Sequence, residues 1–241
     1  MKKLLFLIMA TFLFSETLNI YCSITMKNAM NELKREFIKT HPNVKIKTVY
    51  GSSGKLLKKL KFAKKADLYL PGGPKFVLNN PNLFSTYKEI GFNQIAIFVQ
   101  KGNPKKILTL GDFLRKDVRV GIGKEDSIVG RNAREVLLNY GGEKFLRKVL
   151  SKAKKDFTSI ELANELRKGD IDTALNWRAV LNMRDNKEYM EIVNIPEIYA
   201  PKKKLLLAVT NFSKNKELAN EFLDFAASPK GEEIMKKWGF R

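Results

Sequence analysis

Strand-like and helix-like segments alternate along this chain, and that alternation restricts the fold more than any other feature. Leu18 to Ser23 reads as a strand, and the helix after Thr25 carries Met26, Ala29, Met30, Leu33 and Phe37 on one face until His41-Pro42 ends it. The segment 44–49 alternates apolar and polar residues, turns through Gly51-Ser52-Ser53-Gly54 and enters a second helix with Leu56, Leu57 and Leu60 at helical spacing. Apolar strands follow at 66–70, at 93–104 with a turn at its end, and at 118–123, then a helix from about Ile128 to Tyr140 that stops at Gly141-Gly142. Thr158-Ser159-Ile160-Glu161 spells a capping box, and Gly169 supplies the helix stop. Segments 172–177 and 205–211 return to strand, and the end from Leu218 is amphipathic helix broken at Ser228-Pro229. The pattern predicts an α/β protein with mainly parallel sheet.

With 241 residues the chain is long enough for one large or two small domains. Its 45 Lys+Arg against 25 Asp+Glu give a net charge of +20, a field that attracts anions. Met1-Lys2-Lys3 followed by the apolar stretch Leu4 to Phe14 reads as a signal sequence over 1–15, too short to span a bilayer; a buried N-terminal helix is the competing reading. Export makes nucleic acid an unexpected partner. The single cysteine, Cys22, allows no intrachain disulfide and no thiol cluster for a metal, and is expected in a core without attached lipid.

Catalysis finds little support in these residues. One histidine, His41, stands before a proline; no Gly-x-Ser-x-Gly elbow or His-Glu-x-x-His helix occurs. The turn at 51–54 has two residues between its glycines where a nucleotide-binding P-loop needs four. The carboxylate pairs Glu125-Asp126 and Asp170/Asp172 read as solvated turns. What does recur is a hydroxyl residue at the start of a helix: Thr25, Ser53, Ser127 and Thr158. A helix start exposes unpaired N–H groups and about half a positive charge, so several converging at the carboxyl ends of strands could cage an anion. Taken singly, each reads more readily as a plain cap than as a ligand contact. Ser52-Ser53 stands apart, because flanking glycines permit close backbone approach and favour binding.

The order of segments "LNIYCSITMKNAMNELKREF", "VKIKTVYGSSGKLLKKL", "ADLYL", "NQIAIFVQKGNP", "LGDFL", "VGIG", "LANELRKGDIDTAL" and "EFLDFAASPKGEEIMKKWGF" resembles the periplasmic molybdate-binding proteins of ABC importers. The resemblance implies a two-lobed type II periplasmic binding fold with a hinge, mixed and mainly parallel sheets, and no enzymatic activity. Its first lobe would comprise 16–96 and 205–241 and its second 97–204, with crossings near 94–102 and 202–208. It further implies a tetrahedral oxyanion, molybdate or tungstate, held through its oxygens by Thr25 and Ser53, by the backbone at Val129 or its neighbours, and by that at Phe157 or Thr158. No cofactor or protein-bound metal is implied. The family's tyrosine at the end of "TALNW" is replaced here by Asn176, with Trp177 and Arg178 after it; Arg178 either fills the cleft and contacts ligand or points to solvent. That departure keeps sulfate, phosphate or a small carboxylate- or phosphate-bearing metabolite open. The resemblance implies a periplasmic monomer, freed by signal cleavage and docking on a membrane permease; an exported basic adhesin or antigen is the alternative.

Overall fold

A computed structural model describes residues 16–240; the expected signal sequence lies outside the described residues. In chain order the first elements are β1 (Glu16–Ser23), α1 (Lys27–Thr40), β2 (Val44–Gly51), α2 (Ser53–Ala63), β3 (Leu68–Leu70), α3 (Lys75–Leu78) and β4 (Phe84–Asn93). The middle contributes β5 (Ile95–Gln100), β6 (Val120–Gly123), α4 (Ile128–Lys152), β7 (Lys154–Phe157), α5 (Ser159–Lys168), β8 (Thr173–Trp177), α6 (Asn186–Tyr189) and β9 (Met190–Val193). β10 (Lys203–Thr210), α7 (Lys216–Ala226) and α8 (Pro229–Lys237) complete the fold.

Two five-stranded sheets share one plan. The first has order β2-β1-β3-β10-β4, the second β7-β6-β8-β5-β9. In each, three parallel strands come from a strand–helix–strand–helix–strand unit, and two further strands extend the third through antiparallel pairings. Parallel and antiparallel pairings are therefore equal in number, where the sequence suggested a parallel majority. The chain leaves the first sheet after Asn93 and returns through 194–202. Ile95 and Ala96 already pair with β8, and Lys203 and Lys204 already pair with β4. Both expected crossings, 94–102 and 202–208, thus fall mostly inside strands, β5 and β10.

Apolar periodicity places the cores. The stripe Met30, Leu33 and Phe37 on α1 is buried against Leu18 and Ile20 of β1 and against Phe222 and Met235 of α7 and α8. The opposite face of the first sheet buries Tyr21 and Tyr69 under Leu56 and Leu60 of α2. A separate core fills the second lobe around β5, β6 and β8. Each fully buried Leu or Phe contributes about 1.5–3 kcal/mol, so the alternating pattern is what holds each sheet to its helices. Cys22 is buried in the first core, as expected. Among the described residues no helix is long and apolar enough to cross a membrane.

Gly142 has φ of 70° and does break the helix, but the chain re-enters helix at once and α4 runs on to Lys152. The lobes are in contact: Ala179, in the turn after β8, is buried in the first lobe's core, and Asn28 Nδ2 donates to Asn182 O at 3.1 Å.

Candidate functional site

The ends of β1, β2 and β3 bring three small hydroxyl residues and a glycine together. Ser23 closes β1, and its Oγ lies 3.2 Å from Thr25 Oγ1, so one of the two donates to the other and one O–H remains. Ser53 is 2% exposed, and its Oγ accepts the Gly72 N–H at 2.9 Å, which leaves its own hydrogen to donate. A Cβ placed on Gly72 would lie 3.5 Å from Ser23 Oγ, 3.6 Å from Ser53 Oγ and 3.6 Å from Ile128 Cδ1. That single point is therefore shared by two hydroxyls of the first lobe and the first residue of α4 in the second.

The helix starts around this point are short of partners. Ser52 is the N-cap of α2 and Ser53 its first residue, yet Ser52 makes no side-chain cap. The N–H groups of Ser53, Gly54 and Lys55 point out of the helix end with no acceptor among the described residues. At α4, Ser127 accepts from Gly130 N–H at 3.0 Å and donates to Lys124 O at 2.7 Å, so its hydroxyl is committed to its own helix. The N–H groups of Ile128 and Val129 are left without an acceptor among the described residues.

The other sequence candidates are placed differently. Thr158 caps α5: its Oγ1 accepts from Glu161 N–H at 3.3 Å, while its own N–H donates to Glu161 Oε2 at 2.6 Å. The Thr158 N–H foremost, with the Thr158 hydroxyl, holds the Glu161 carboxyl below its ordinary range. Asn176 is 1% exposed; its amide donates to Ser159 O at 2.8 Å and accepts from Trp177 N–H at 2.9 Å, which ties β8 to the start of α5. Arg178 bridges the crossings: its N–H donates to Gln94 O at 2.9 Å and its Nη1 to Asn194 Oδ1. Ser23 and Gly72 were missed by sequence reasoning, whereas Ile128 is among the expected neighbours of Val129. The first reads as the end of a strand, the second as part of a Pro-Gly-Gly-Pro turn.

Beside the hydroxyl cluster lies an interlobe cavity of about 230 Å³. Gly72, Pro74 and Phe76 line it from the first lobe, Ile128, Asn132 and Trp177 from the second. Its charged lining is Lys75, Arg131, Lys203 and Glu135, with Lys203 Nζ 2.6 Å from Glu135 Oε1. No group of carboxylate, imidazole or thiol side chains suited to a metal ion occurs among the described residues.

Residues 18–241 match the family of bacterial extracellular solute-binding proteins. The chain belongs to that family. These solute-binding proteins capture small solutes for ABC permeases and are not enzymes. A protein of Haemophilus influenzae assigned as a binding protein is 26% identical over 228 residues, covering 92% of this chain and 90% of its own. Among solved structures, the substrate-binding domain assigned to a molybdenum ABC transporter of Clostridium difficile superposes with TM-score 0.78 at 24% identity, over 94% of this chain and 99% of that one. PEB3 bound to L-phospholactate does so with TM-score 0.77 at 19% identity, over 93% and 99%; PEB3 also has a structure from Campylobacter jejuni. At such identities the likeness establishes the two-lobed fold of this solute-binding protein, and its ligand must be argued from its own residues.

Proposed function

We propose that this solute-binding protein closes its lobes around a tetrahedral oxyanion, molybdate or tungstate foremost, and presents it to a membrane permease. What supports the reading is the convergence on Gly72 of the Ser23 and Ser53 hydroxyls with the uncapped start of α2 and the first turn of α4. All of these are neutral donors with spare hydrogens, and the two helix ends add partial positive charge. Binding energy would come from hydrogen bonds to a charged acceptor, each about 1.5–3 kcal/mol. A smaller anion would leave a donor unpaired at a cost of about 1–3 kcal/mol, which sets the selectivity. In this reading the first lobe is built on 16–93 with 203–240 and the second on 95–193, the two hinge at the crossings between them, and the protein acts as a periplasmic monomer once its signal is removed.

A second reading has its own observation. The cavity next to the hydroxyls carries Lys75, Arg131 and Lys203 against one carboxylate, Glu135, and has an apolar wall in Phe76, Ile128 and Trp177. A small organic acid could seat a phosphate on the hydroxyls and a carboxylate on these cations, as a phospho-acid ligand of a structural neighbour illustrates. Calorimetric titration separates the two. Heat with molybdate and tungstate, weaker with sulfate and phosphate, is expected; heat only with a phosphorylated hydroxy acid selects the second reading, and silence with every one of them removes both.

A further inference from the structure

The thirty residues from Phe37 to Ala66 contain nine lysines and no carboxylate. Lys39 pairs with Glu36, but Lys45, Lys47, Lys55, Lys58, Lys59, Lys61, Lys64 and Lys65 have no carboxylate within ion-pairing distance among the described residues. All eight are exposed. They also share one side of the first lobe. β2 is an edge strand whose Val49 lies in register with Tyr21, so Lys45 and Lys47 project from the sheet face that α2 covers. Lys59 Nζ stands 5.6 Å from the Tyr21 ring on that same face. Within this field sits Phe62, 93% exposed on the last turn of α2, with Lys58 four residues before it and Lys65 three after. No other large apolar side chain among the described residues is as exposed.

We infer that this face of the first lobe docks on an anionic lipid surface, with Phe62 entering the headgroup boundary and the surrounding lysines meeting lipid phosphates. Like charges three and four residues apart on one helix repel, so α2 carries an arrangement that costs the isolated protein stability and is relieved only by a dense negative partner. A fully exposed phenyl ring adds nothing to attraction for a soluble polyanion. It gains by burial at a bilayer, where lysine stems can lie along apolar surface while their charges reach the phosphates. The geometry also suits delivery: Phe62 follows Ser53 by nine residues, about 14 Å along a helix at 1.5 Å per residue. A lobe resting on its α2 tip would keep the candidate cleft within a helix length of the membrane. The inference does not rest on which anion the cleft takes.

Flotation of the protein freed of its expected signal sequence, 1–15, with phosphatidylcholine vesicles, with and without phosphatidylglycerol, tests it. Co-flotation is expected only with the anionic vesicles and is weakened by added salt. Phe62→Ser keeps the net charge and should lower vesicle affinity about tenfold, since an aromatic burial is lost. Replacing Lys58, Lys61 and Lys65 together by Gln should remove most binding, at about fivefold per charge. Both variants lie on the solvent face, and an unchanged near-ultraviolet circular dichroism spectrum confirms that they fold. Absence of flotation overturns the inference. So does vesicle binding that is indifferent to Phe62→Ser and matched by retention on dextran sulfate, which marks general polyanion attraction.

Discussion

Two sets of helix starts in this molecule use the same residues to different ends. α4, α5, α7 and α8 each begin with a side chain that caps them: Ser127, Thr158, Asn215 and Ser228 accept from their own first-turn N–H groups. α1 and α2 have hydroxyls at hand in Ser23, Thr25, Ser52 and Ser53, and neither helix receives a side-chain cap. A missing cap forgoes about 1 kcal/mol per helix. The first lobe forgoes it at the two starts that flank Gly72 and nowhere else among its longer helices. The lesson is that a hydroxyl at a helix start signals a binding site only when the helix does not use it, and the sequence alone does not say which.

The sharpest way to break this contrast is Gly72→Ala. The added methyl would make ordinary contacts, 3.5–3.6 Å from its neighbours, so the fold should tolerate it. It would also occupy the point where the Ser23 and Ser53 hydroxyls meet. Leaving two donors unpaired predicts a loss of affinity of roughly 100-fold, read by calorimetry with whichever anion binds the parent protein. Ser53→Ala removes one charge-assisted donor and should cost about ten- to a hundredfold. Thr25→Ala should cost less, because Ser23 keeps an O–H of its own. Parent-like affinity in both Gly72→Ala and Ser53→Ala would place the ligand elsewhere.

How far could the residues alone have led? Elements with several agreeing signals were legible: the α1 stripe, the α5 capping box with its Gly169 stop, and the apolar strands β5 and β8. The edge strands β4, β7 and β9 were not, because their residues lack the regular alternation that made the edge strand β2 readable; Lys154–Phe157 is largely exposed. Within the site, Ser53 stood out through its glycines. Ser23 was invisible, since its importance depends on the tertiary approach of Gly72 across two strands. Asp172 is a correction. Its neighbours Gly169 and Asp170 make it read as a solvated turn carboxylate, yet it is 3% exposed.

That buried carboxylate opens a second comparison between the lobes. Asp67 and Asp172 stand just ahead of β3 and β8, and each exchanges backbone contacts with the neighbouring parallel segment: Asp67 N–H donates to Asn19 O on β1 and Asp172 N–H to Arg119 O just ahead of β6, both at 2.8 Å. Their carboxylates return the contact, accepting Asn19 N–H at 2.7 Å and Arg119 N–H at 2.8 Å. The remaining partners differ. Asp67 has the neutral groups of Asn19 and Ser213, whereas Asp172 also faces the Arg119 guanidinium at 2.7 Å. Burial pushes the Asp172 carboxyl up, but the hydrogen bonds and charge of Arg119 outweigh it and hold the group below the ordinary aspartate range. A carboxyl depressed on folding stabilises the protein fully above its unfolded pKa, about 3.9, and that stability drains away as pH falls through the lower folded value. Asp172→Asn should therefore cost about 1–3 kcal/mol at neutral pH, and its urea midpoint should fall less steeply than the parent's below about pH 4. Equal slopes would mean the pair contributes nothing that titrates.

The smallest expected effect is the one that tests the opening contrast from its other side. Ser127→Ala and Thr158→Ala remove caps that the second lobe does use. Each should lower stability by about 1 kcal/mol, which for a chain of this size is a drop in Tm of about 2–4 °C. Ligand affinity should stay within about twofold, because the N–H groups offered at α4 are those of Ile128 and Val129, which Ser127 does not engage. Stability and affinity thus move in opposite patterns across the two lobes: Ser53→Ala weakens binding, and Ser127→Ala weakens the helix. A Ser127→Ala protein that melts like the parent but has lost its ligand would reverse that division, and would make the α4 hydroxyl a direct contact in an open form of the cleft.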